Sequence, residues 1–158
     1  MKKLLVTFLS VIMVMVFMPT MAFAANDNVA KIGDKEYATL AAAVEEAEDG
    51  DTIELLNDTT ANDIRLTKSL TFNLNGKTIT GTSDATRVFL VQNKKVSATF
   101  NGGVIEVTNV AGNGLGIATQ GGKLELNDME IRVAAPDTTA LYNYGIRISA
   151  YNTAENGE

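Results

Sequence analysis

The chain has 158 residues, a net charge of −6, and neither cysteine nor histidine. The missing residue types exclude disulfides, Ser-His and Cys-His nucleophile pairs and most zinc sites. The acidic balance disfavours nucleic acids and anionic membranes as partners, because contacts to phosphate need a basic surface.

Residues 1–24 have the features of a secretory signal peptide. Lys2 and Lys3 precede an apolar run over residues 4–18, and residues 22–24 (Ala-Phe-Ala) fit a small-residue cleavage site. A retained membrane anchor is the alternative, but the run is shorter than the roughly 18 to 20 residues that span a bilayer. We therefore predict a bacterial protein that is secreted or held at the cell surface, cleaved after Ala24, with no stable membrane insertion after cleavage.

Residues 25–48 predict a hairpin and a short capping helix. Residues 29–32 and 35–38 flank Gly33-Asp34, a two-residue sequence typical of tight hairpin turns. Thr39 suits a helix N-cap. After it, the spacing i, i+3, i+4, i+7 predicts a helix over residues 40–48 with one apolar face, formed by Leu40, Ala43, Val44 and Ala47. The alternative is an amphipathic helix that binds a partner.

A five-residue unit, Asn/Asp-Gly/Asp-x-x-Ile, recurs every 26 residues in the remainder of the chain. Its isoleucines are Ile53, Ile79, Ile105 and Ile131. Three other columns align at the same spacing: Leu55, Gly81, Val107 and Val133; Leu74, Phe100 and Leu126; Phe72, Ala98 and Leu124. Within each unit, apolar and polar residues alternate as in half-buried strands. A fixed period is expected of a solenoid, in which equivalent residues stack at about 4.8 Å. Independent hairpins would not require a fixed period.

A third strand per repeat is predicted at residues 88–91, 115–117 and 146–148, the last one displaced by an insertion around residues 135–139. A leucine-rich repeat is the competing solenoid, but it fits less well because Asn75 directly follows Leu74, whereas that repeat needs two residues between leucine and asparagine. Glycine or aspartate at the second position of each unit fits a bend with positive φ. Residues 49–158 thus predict an all-β, parallel β-helix with about 26 residues and three short strands per turn.

Asn75, Asn101 and Asn127, stacked at one corner, resemble the asparagine ladder of right-handed parallel β-helices in the pectin-lyase-like superfamily. Residues 36–58 and 66–81 are similar to the start of such domains in bacterial secreted and adhesin-like surface proteins. The resemblance covers residues 29–150 and implies a right-handed coil that contacts glycans or acts as a stalk. The same superfamily contains polysaccharide lyases and glycoside hydrolases, but no lyase motif of theirs matches here.

Carboxylate pairs are the first place to look for hydrolytic chemistry. Glu54 and Glu106 are predicted two turns apart in one outward column, at about 9 to 10 Å, near the separation that inverting glycosidases use. Thr80 would lie between them and Arg132 would follow, so a surface Glu106–Arg132 ion pair is the favoured interpretation. Asp51 and Lys77 predict a similar pair. We assign no catalytic residue.

Clustered acids raise the question of a calcium site. Asp49, Asp51 and Asp58 are close in sequence, but Asp-Gly-Asp after a helix is more often a turn. We therefore expect no cofactor and assign no metal ligand, with calcium as the alternative.

Exposed aromatic residues are common where proteins bind sugars. Tyr142, Tyr144 and Tyr151 cluster near the end and predict either a glycan-binding patch or contacts to a further turn. Polar residues fill outward positions, among them Asn73, Thr80, Thr99 and Thr108. We expect a non-catalytic, exported β-helix that contacts polysaccharide or host glycans, or serves as a stalk. The alternatives are a lyase or hydrolase whose active face is incomplete here, and a spacer without a ligand. We also expect further turns of a longer chain after residue 158.

Overall fold

A computed structural model describes residues 27–81, 87–108, 114–133 and 143–149. They form a mostly β structure with one short helix, α1, Leu40–Glu46. The strands are β1 Ala30–Ile32, β2 Lys35–Tyr37, β3 Thr52–Leu55, β4 Thr59–Thr60, β5 Ile64–Leu66, β6 Leu70–Asn73, β7 Thr78–Gly81, β8 Phe89–Val91, β9 Ser97–Val107, β10 Gly114–Gln120, β11 Lys123–Val133 and β12 Asn143–Ser149. The predicted signal peptide and the expected insertion at residues 135–139 lie outside the described residues.

The strands form two sheets whose pairings are almost all parallel. The first sheet has the order β2-β1-β3-β6-β9-β7-β4, and β11 pairs with β9 outside this path. The second sheet has the order β12-β10-β8-β5. Among the strands that the structure describes, the antiparallel pairings are those of β1, with β2 on one side and β3 on the other. The long strand β9 pairs with β6 along its first half and with β7 along its second half.

The predicted hairpin and helix are both present. The Thr39 side chain accepts a hydrogen bond from the Ala42 backbone N at 3.1 Å, which caps α1 as expected. The helix buries Leu40, Ala43 and Val44 and ends at Glu46, two residues earlier than predicted, because the backbone of Ala47 is extended. Lys68 then supplies a cation to the helix C-terminus, donating from Nζ to the carbonyls of Glu45 and Ala47.

The 26-residue spacing holds through the second half of the chain. Ile79 pairs with Ile105, and Ile105 pairs with Ile131. Gly81, Val107 and Val133 are aligned in the same way. Ile79 and Ile105 are both fully buried, so the predicted inward column is confirmed for these three repeats.

The same spacing is wrong for the first repeat. Ile53 pairs with Phe72 instead of joining the isoleucine column, and Thr59 is the neighbour of Ile79 on that side. Leu55 also leaves its predicted column, because it pairs with Ala30 of the hairpin. The cause is a shorter first repeat: Thr52 pairs with Thr71, only 19 residues later.

A tight turn shifts the next columns by two residues. Leu74 O accepts a hydrogen bond from Lys77 N at 2.8 Å, and Asn75 and Gly76 between them have φ of 52° and 75°, as a type I′ turn requires. This turn adds two residues between β6 and β7, so Phe72 pairs with Phe100 and Leu70 with Ala98. The predicted partnerships of Leu74 with Phe100 and of Phe72 with Ala98 are therefore wrong. The Asn-Gly sequence forms a turn, yet β6 and β7 each pair with β9 instead of with each other.

The core lies between the two sheets and is centred on three phenylalanines. The rings of Phe72 and Phe100 stack at 4.7 Å between centroids, with 8° between their planes. Phe89, from the second sheet, packs against them at 5.4 Å and 5.0 Å. Its strand β8 pairs with β10, which pairs with β12, so the predicted third strands are present. Strand β5, which was not predicted from the sequence, also pairs with β8.

Positive φ occurs at the second position of every repeat unit, as predicted. The values are 94°, 75°, 56° and 52° for Gly50, Gly76, Gly102 and Asp128. Gly102 and Asp128 mark a bend near the middle of the long strands β9 and β11, where the pairing is interrupted.

We expect Ile79→Asp to destabilise the protein severely and Thr80→Asp only mildly. Ile79 is fully buried whereas Thr80 is half-buried on the opposite face of β7. The first change removes about 1.5 to 3 kcal/mol of burial and also places a charge in the core. Thermal unfolding followed by circular dichroism measures both variants, and equal losses in Tm would contradict the inward and outward assignment.

Gly102 offers a test of the bend itself. We expect Gly102→Asp to be tolerated better than Gly102→Val, by about 1 kcal/mol or more, since aspartate accepts left-handed backbone and a β-branched residue does not. Asp128 already has this conformation at the equivalent bend. A Cβ at residue 102 would meet no atom within 4 Å, so a clash at Cβ does not explain the difference, and repulsion from the neighbouring Asp128 would only reduce the advantage of aspartate. Urea unfolding of both variants measures it; identical midpoints would exclude the backbone explanation.

Candidate functional site

A cleft of about 360 Å³ lies between α1 and the segment around β5. Its walls combine apolar residues of the helix with polar and charged residues on the other side. The lining residues are Ala41, Val44, Glu45, Asn62, Asp63, Ile64, Arg65, Thr67, Lys68 and Leu70. The alternation along β5 explains the polar wall, because Ile64 and Leu66 turn into the core while Arg65 is exposed.

Asp63 is the electrostatic centre of this cleft. Its backbone has φ of 49°, a left-handed conformation that is uncommon outside glycine, and its N donates to Arg87 O at 2.9 Å. One carboxylate oxygen lies 2.6 Å from Arg87 Nε and the other 3.8 Å from Arg65 Nη2. The buried Arg87 Nε has no aligned hydrogen-bond acceptor in spite of this short approach. Asp63 is thus neutralised by two arginines in a strained position, a combination that is often found where proteins bind ligands.

The remaining charges decide what the cleft can do. Lys68 Nζ is occupied by two carbonyls of the helix end. Arg65 is about half exposed and its ion pair with Asp63 is long, so its guanidinium is the cation most available to a ligand. With Asn62 and Thr67 it offers donors and acceptors for hydrogen bonds. This site could not be predicted from the sequence because its central ion pair, Asp63–Arg87, joins two segments 24 residues apart.

The three acids considered for calcium have separate structural partners. Asp49 accepts from Ser69 N at 2.7 Å, Asp51 from Glu48 N at 2.7 Å, and Asp58 from Thr78 N at 2.8 Å. These contacts support the favoured interpretation that the carboxylates stabilise turns and link neighbouring segments. In the parts of the chain that the structure describes, no group of three or more Asp, Glu, His or Cys residues could hold a metal ion.

The predicted carboxylate pair is not formed. Glu54 pairs with Asn73 and makes a 3.0 Å salt bridge to Lys31, whereas Glu106 lies between Thr80 and Arg132 in a different column. The reason is the short first repeat, which moves Glu54 out of the 26-residue register.

The two predicted ion pairs also have other partners. Arg132 is in register with Glu106, but it donates to Glu130 on its own strand through two hydrogen bonds of 2.6 Å. Those bonds hold the pKa of Glu130 below its usual value. Asp51 does not face Lys77, because its carboxylate binds Glu48 N at the turn before β3.

An asparagine ladder is present, with one rung different from the prediction. Asn101 Nδ2 donates to Asn73 Oδ1 at 2.8 Å, and Asn127 Nδ2 donates to Asn101 Oδ1 at 2.9 Å. Asn75, the predicted first rung, instead donates to Leu55 O at 3.2 Å. The extra two residues of the Asn75-Gly76 turn put Asn73 at the height of Asn101.

The predicted tyrosine patch can be placed only in part. Tyr144 is 46% exposed on β12, while Tyr142 and Tyr151 lie outside the described residues. On the same strand, Ile146 and Ile148 are 39% and 78% exposed. Tyr144 is distant in sequence from the α1–β5 cleft.

Comparisons with protein-family models, curated proteins and solved structures each return no match for this chain. Over the described residues, no helix has the length and apolar character needed to cross a bilayer.

The ladder yields a stability prediction. We expect Asn101→Ala to cost about 1 to 2 kcal/mol, because it removes the middle rung and leaves Asn73 Oδ1 and Asn127 Nδ2 without their ladder partners. Asn127→Ala removes one bond at an exposed position and should cost less than half as much. Urea unfolding at equal protein concentration compares the two, and an equal or larger loss for Asn127→Ala would contradict a continuous ladder.

Proposed function

We propose that residues 49–158 wind as a right-handed parallel β-helix with three strands per turn. Three kinds of strand recur in a constant order along the chain: β3, β4 and β5, and then β6, β7 and β8. In the later repeats the first two kinds are joined into one long strand, β9 and then β11. Each pairs in parallel with its equivalent in the next group. The asparagine ladder and the positive φ at each bend also support such a coil, with β1, β2 and α1 covering its first turn.

We further propose that this coil is an exported, non-catalytic module that acts as a stalk and contact surface. The observation that carries this proposal is the use of four carboxylates considered for chemistry: Asp49, Asp51 and Asp58 bind backbone N–H groups, and Glu54 binds Lys31. Side chains so engaged stabilise the contacts between turns instead of converging on one reacting atom. Export rests on the signal-peptide pattern of residues 1–24.

Polysaccharide binding is the second candidate function, and the α1–β5 cleft favours it. Arg65, Asn62 and Thr67 present planar and hydroxyl groups of the kind that hydrogen-bond sugar hydroxyls and carboxylates. Among the lining residues Arg65 and Lys68 balance Glu45 and Asp63, and Arg87 adds a positive charge beside Asp63, although the whole chain is acidic. The cleft thus suits a uronic-acid polysaccharide such as pectate or alginate. A lyase or hydrolase with its active face outside this chain stays as the alternative.

Affinity electrophoresis in gels that contain pectate or alginate tests the cleft. We expect the protein to be retarded and Arg65→Ala to lose most of this retardation. Arg132→Ala, which removes an exposed arginine far along the chain, is the matched control and should be retarded like the unchanged protein. Equal retardation of both variants would exclude the cleft, and no retardation of any form would leave a stalk without its own ligand.

The same polysaccharides, incubated with the protein with and without calcium, test the catalytic alternative. We expect no unsaturated product at 235 nm and no new reducing ends. Detection of either product, whether or not it depends on calcium, would overturn the non-catalytic proposal.

A further inference from the structure

The positive charges of the chain are concentrated on the second sheet and on the bends that follow its strands. The segments 64–69, 87–97 and 114–123 contain β5, β8 and β10 with these bends. Together they carry six lysine and arginine residues and no aspartate or glutamate, although the whole chain has a net charge of −6. The six residues are Arg65, Lys68, Arg87, Lys94, Lys95 and Lys123. Such segregation gives this part of an acidic protein a positive local potential.

The bends after β5, β8 and β10 are stacked on one another. Ser97 N donates to Ser69 Oγ at 3.2 Å, which joins the ends of the first and second bends. Lys123 N donates to Val96 O at 2.9 Å, which joins the second bend to the third. Because each bend follows a strand of the same parallel sheet, consecutive bends lie roughly 5 Å apart.

We call Lys94, Lys95 and Lys123, three exposed lysines on the second and third bends, the basic corner. Lys94 and Lys95 form no ion pair with any residue that the structure describes. Lys123 Nζ lies 3.2 Å from a carboxylate oxygen of Glu125 on the same strand, and Asp49 binds the backbone of the first bend. Two ammonium groups of the basic corner are thus left for a partner, and the third is shared with Glu125.

The backbone beneath these lysines is held by hydrogen bonds and close packing. Val96 N donates to Asn93 O at 3.0 Å, and Lys95 N donates to the Asn93 side-chain oxygen at 3.1 Å. In the next bend, a Cβ added at Gly122 would lie only 3.0 Å from Asn93 O and from Val96 O. A backbone fixed in this way has little conformational freedom to lose when a ligand binds.

The use of lysine indicates the kind of ligand. An ammonium group is a compact point charge, whereas the planar fork of arginine matches the geometry of one carboxylate or phosphate. The basic corner therefore responds to the density of negative charge more than to the shape of a single acidic group. Because its lysines lie on bends about 5 Å apart, a linear polymer with repeated anionic groups can contact several of them at once, and a single small anion cannot.

The neighbouring side chains favour a polysaccharide over a nucleic acid. Gln92 and Gln120 immediately precede the second and third bends and supply amide groups that can hydrogen-bond to sugar hydroxyls. The segments 92–97 and 120–123 contain no aromatic residue. Proteins that bind single-stranded nucleic acids stack the bases on such rings.

We propose that the basic corner binds a linear anionic polysaccharide, which crosses successive bends and is selected by its charge density. The bound chain runs across the strands instead of along one of them. This surface is separate from the α1–β5 cleft, where Arg65 is the cation available to a ligand. Each of the two binding proposals can therefore fail without the other.

Affinity electrophoresis in gels that contain dextran sulfate, pectate or neutral dextran tests the proposal. We expect retardation to be strongest with dextran sulfate, weaker with pectate and absent with dextran, and to decrease as salt is added. The double variant Lys94→Gln with Lys95→Gln should raise the apparent Kd for dextran sulfate at least about threefold. Lys35→Gln with Arg132→Gln is the matched control, since it removes two exposed cations of the first sheet. Equal losses in the two double variants would show that net charge alone decides binding and would overturn the proposal.

Competition experiments test the reach of the site and its independence from the cleft. Glucose 6-sulfate should compete at least about tenfold less well per sulfate group than dextran sulfate, and equal competition would contradict contact across several bends. Arg65→Ala should lose retention by pectate but keep its Kd for dextran sulfate within about twofold; loss of both would mean that the basic corner is no separate site. Tighter binding to single-stranded DNA than to dextran sulfate would overturn the choice of a polysaccharide. No retardation by dextran sulfate would overturn the basic corner and leave the cleft to its own test on pectate. Circular dichroism of every variant checks that the β spectrum and Tm are retained.

Discussion

Parallel backbone pairing between successive repeats is the constraint on which the rest of the structure depends. Each central strand forms hydrogen bonds with the equivalent strand before and after it in the chain, as β9 does with β6 and β11. A strand that paired on one side only would leave half of its backbone groups to water or to another chain. Because the pairing is parallel and in register, like side chains meet in columns. Stacked phenylalanines, the asparagine ladder and the isoleucine column all follow from it.

Polar groups of the described residues are largely engaged in contacts within and between these strands. Asp49, Asp51 and Asp58 each bind a backbone N–H that the bends would otherwise leave exposed. Arg132 is held by Glu130 and Lys31 by Glu54. The α1–β5 cleft differs, because there the chain leaves its regular path and Asp63 takes a left-handed conformation between two arginines. The site proposed for polysaccharide binding therefore lies where the repeat is least regular.

The sequence predicted this architecture where spacing was constant and failed where local turns changed it. Ile79, Ile105 and Ile131 could be aligned because the segments between them have equal length. Ile53 and Asn75 could not be aligned in this way, because a short first repeat and a two-residue turn shift their strand register. The 26-residue period of the sequence motif is unchanged by these shifts. The cleft was invisible because the Asp63–Arg87 contact depends on how two segments are brought side by side. Hydrophobic periodicity reports which face is buried, and it carries no information on such a polar contact.

The amino-terminal hairpin and helix have a consequence for the order in which the molecule folds. The elements β1, β2, α1 and β3 are consecutive, so the surface against which β6 pairs is complete once residue 55 has been synthesised. Every later repeat then finds a finished template immediately before it in the chain, and its contacts span roughly one repeat length. Order of synthesis and order of folding can therefore coincide.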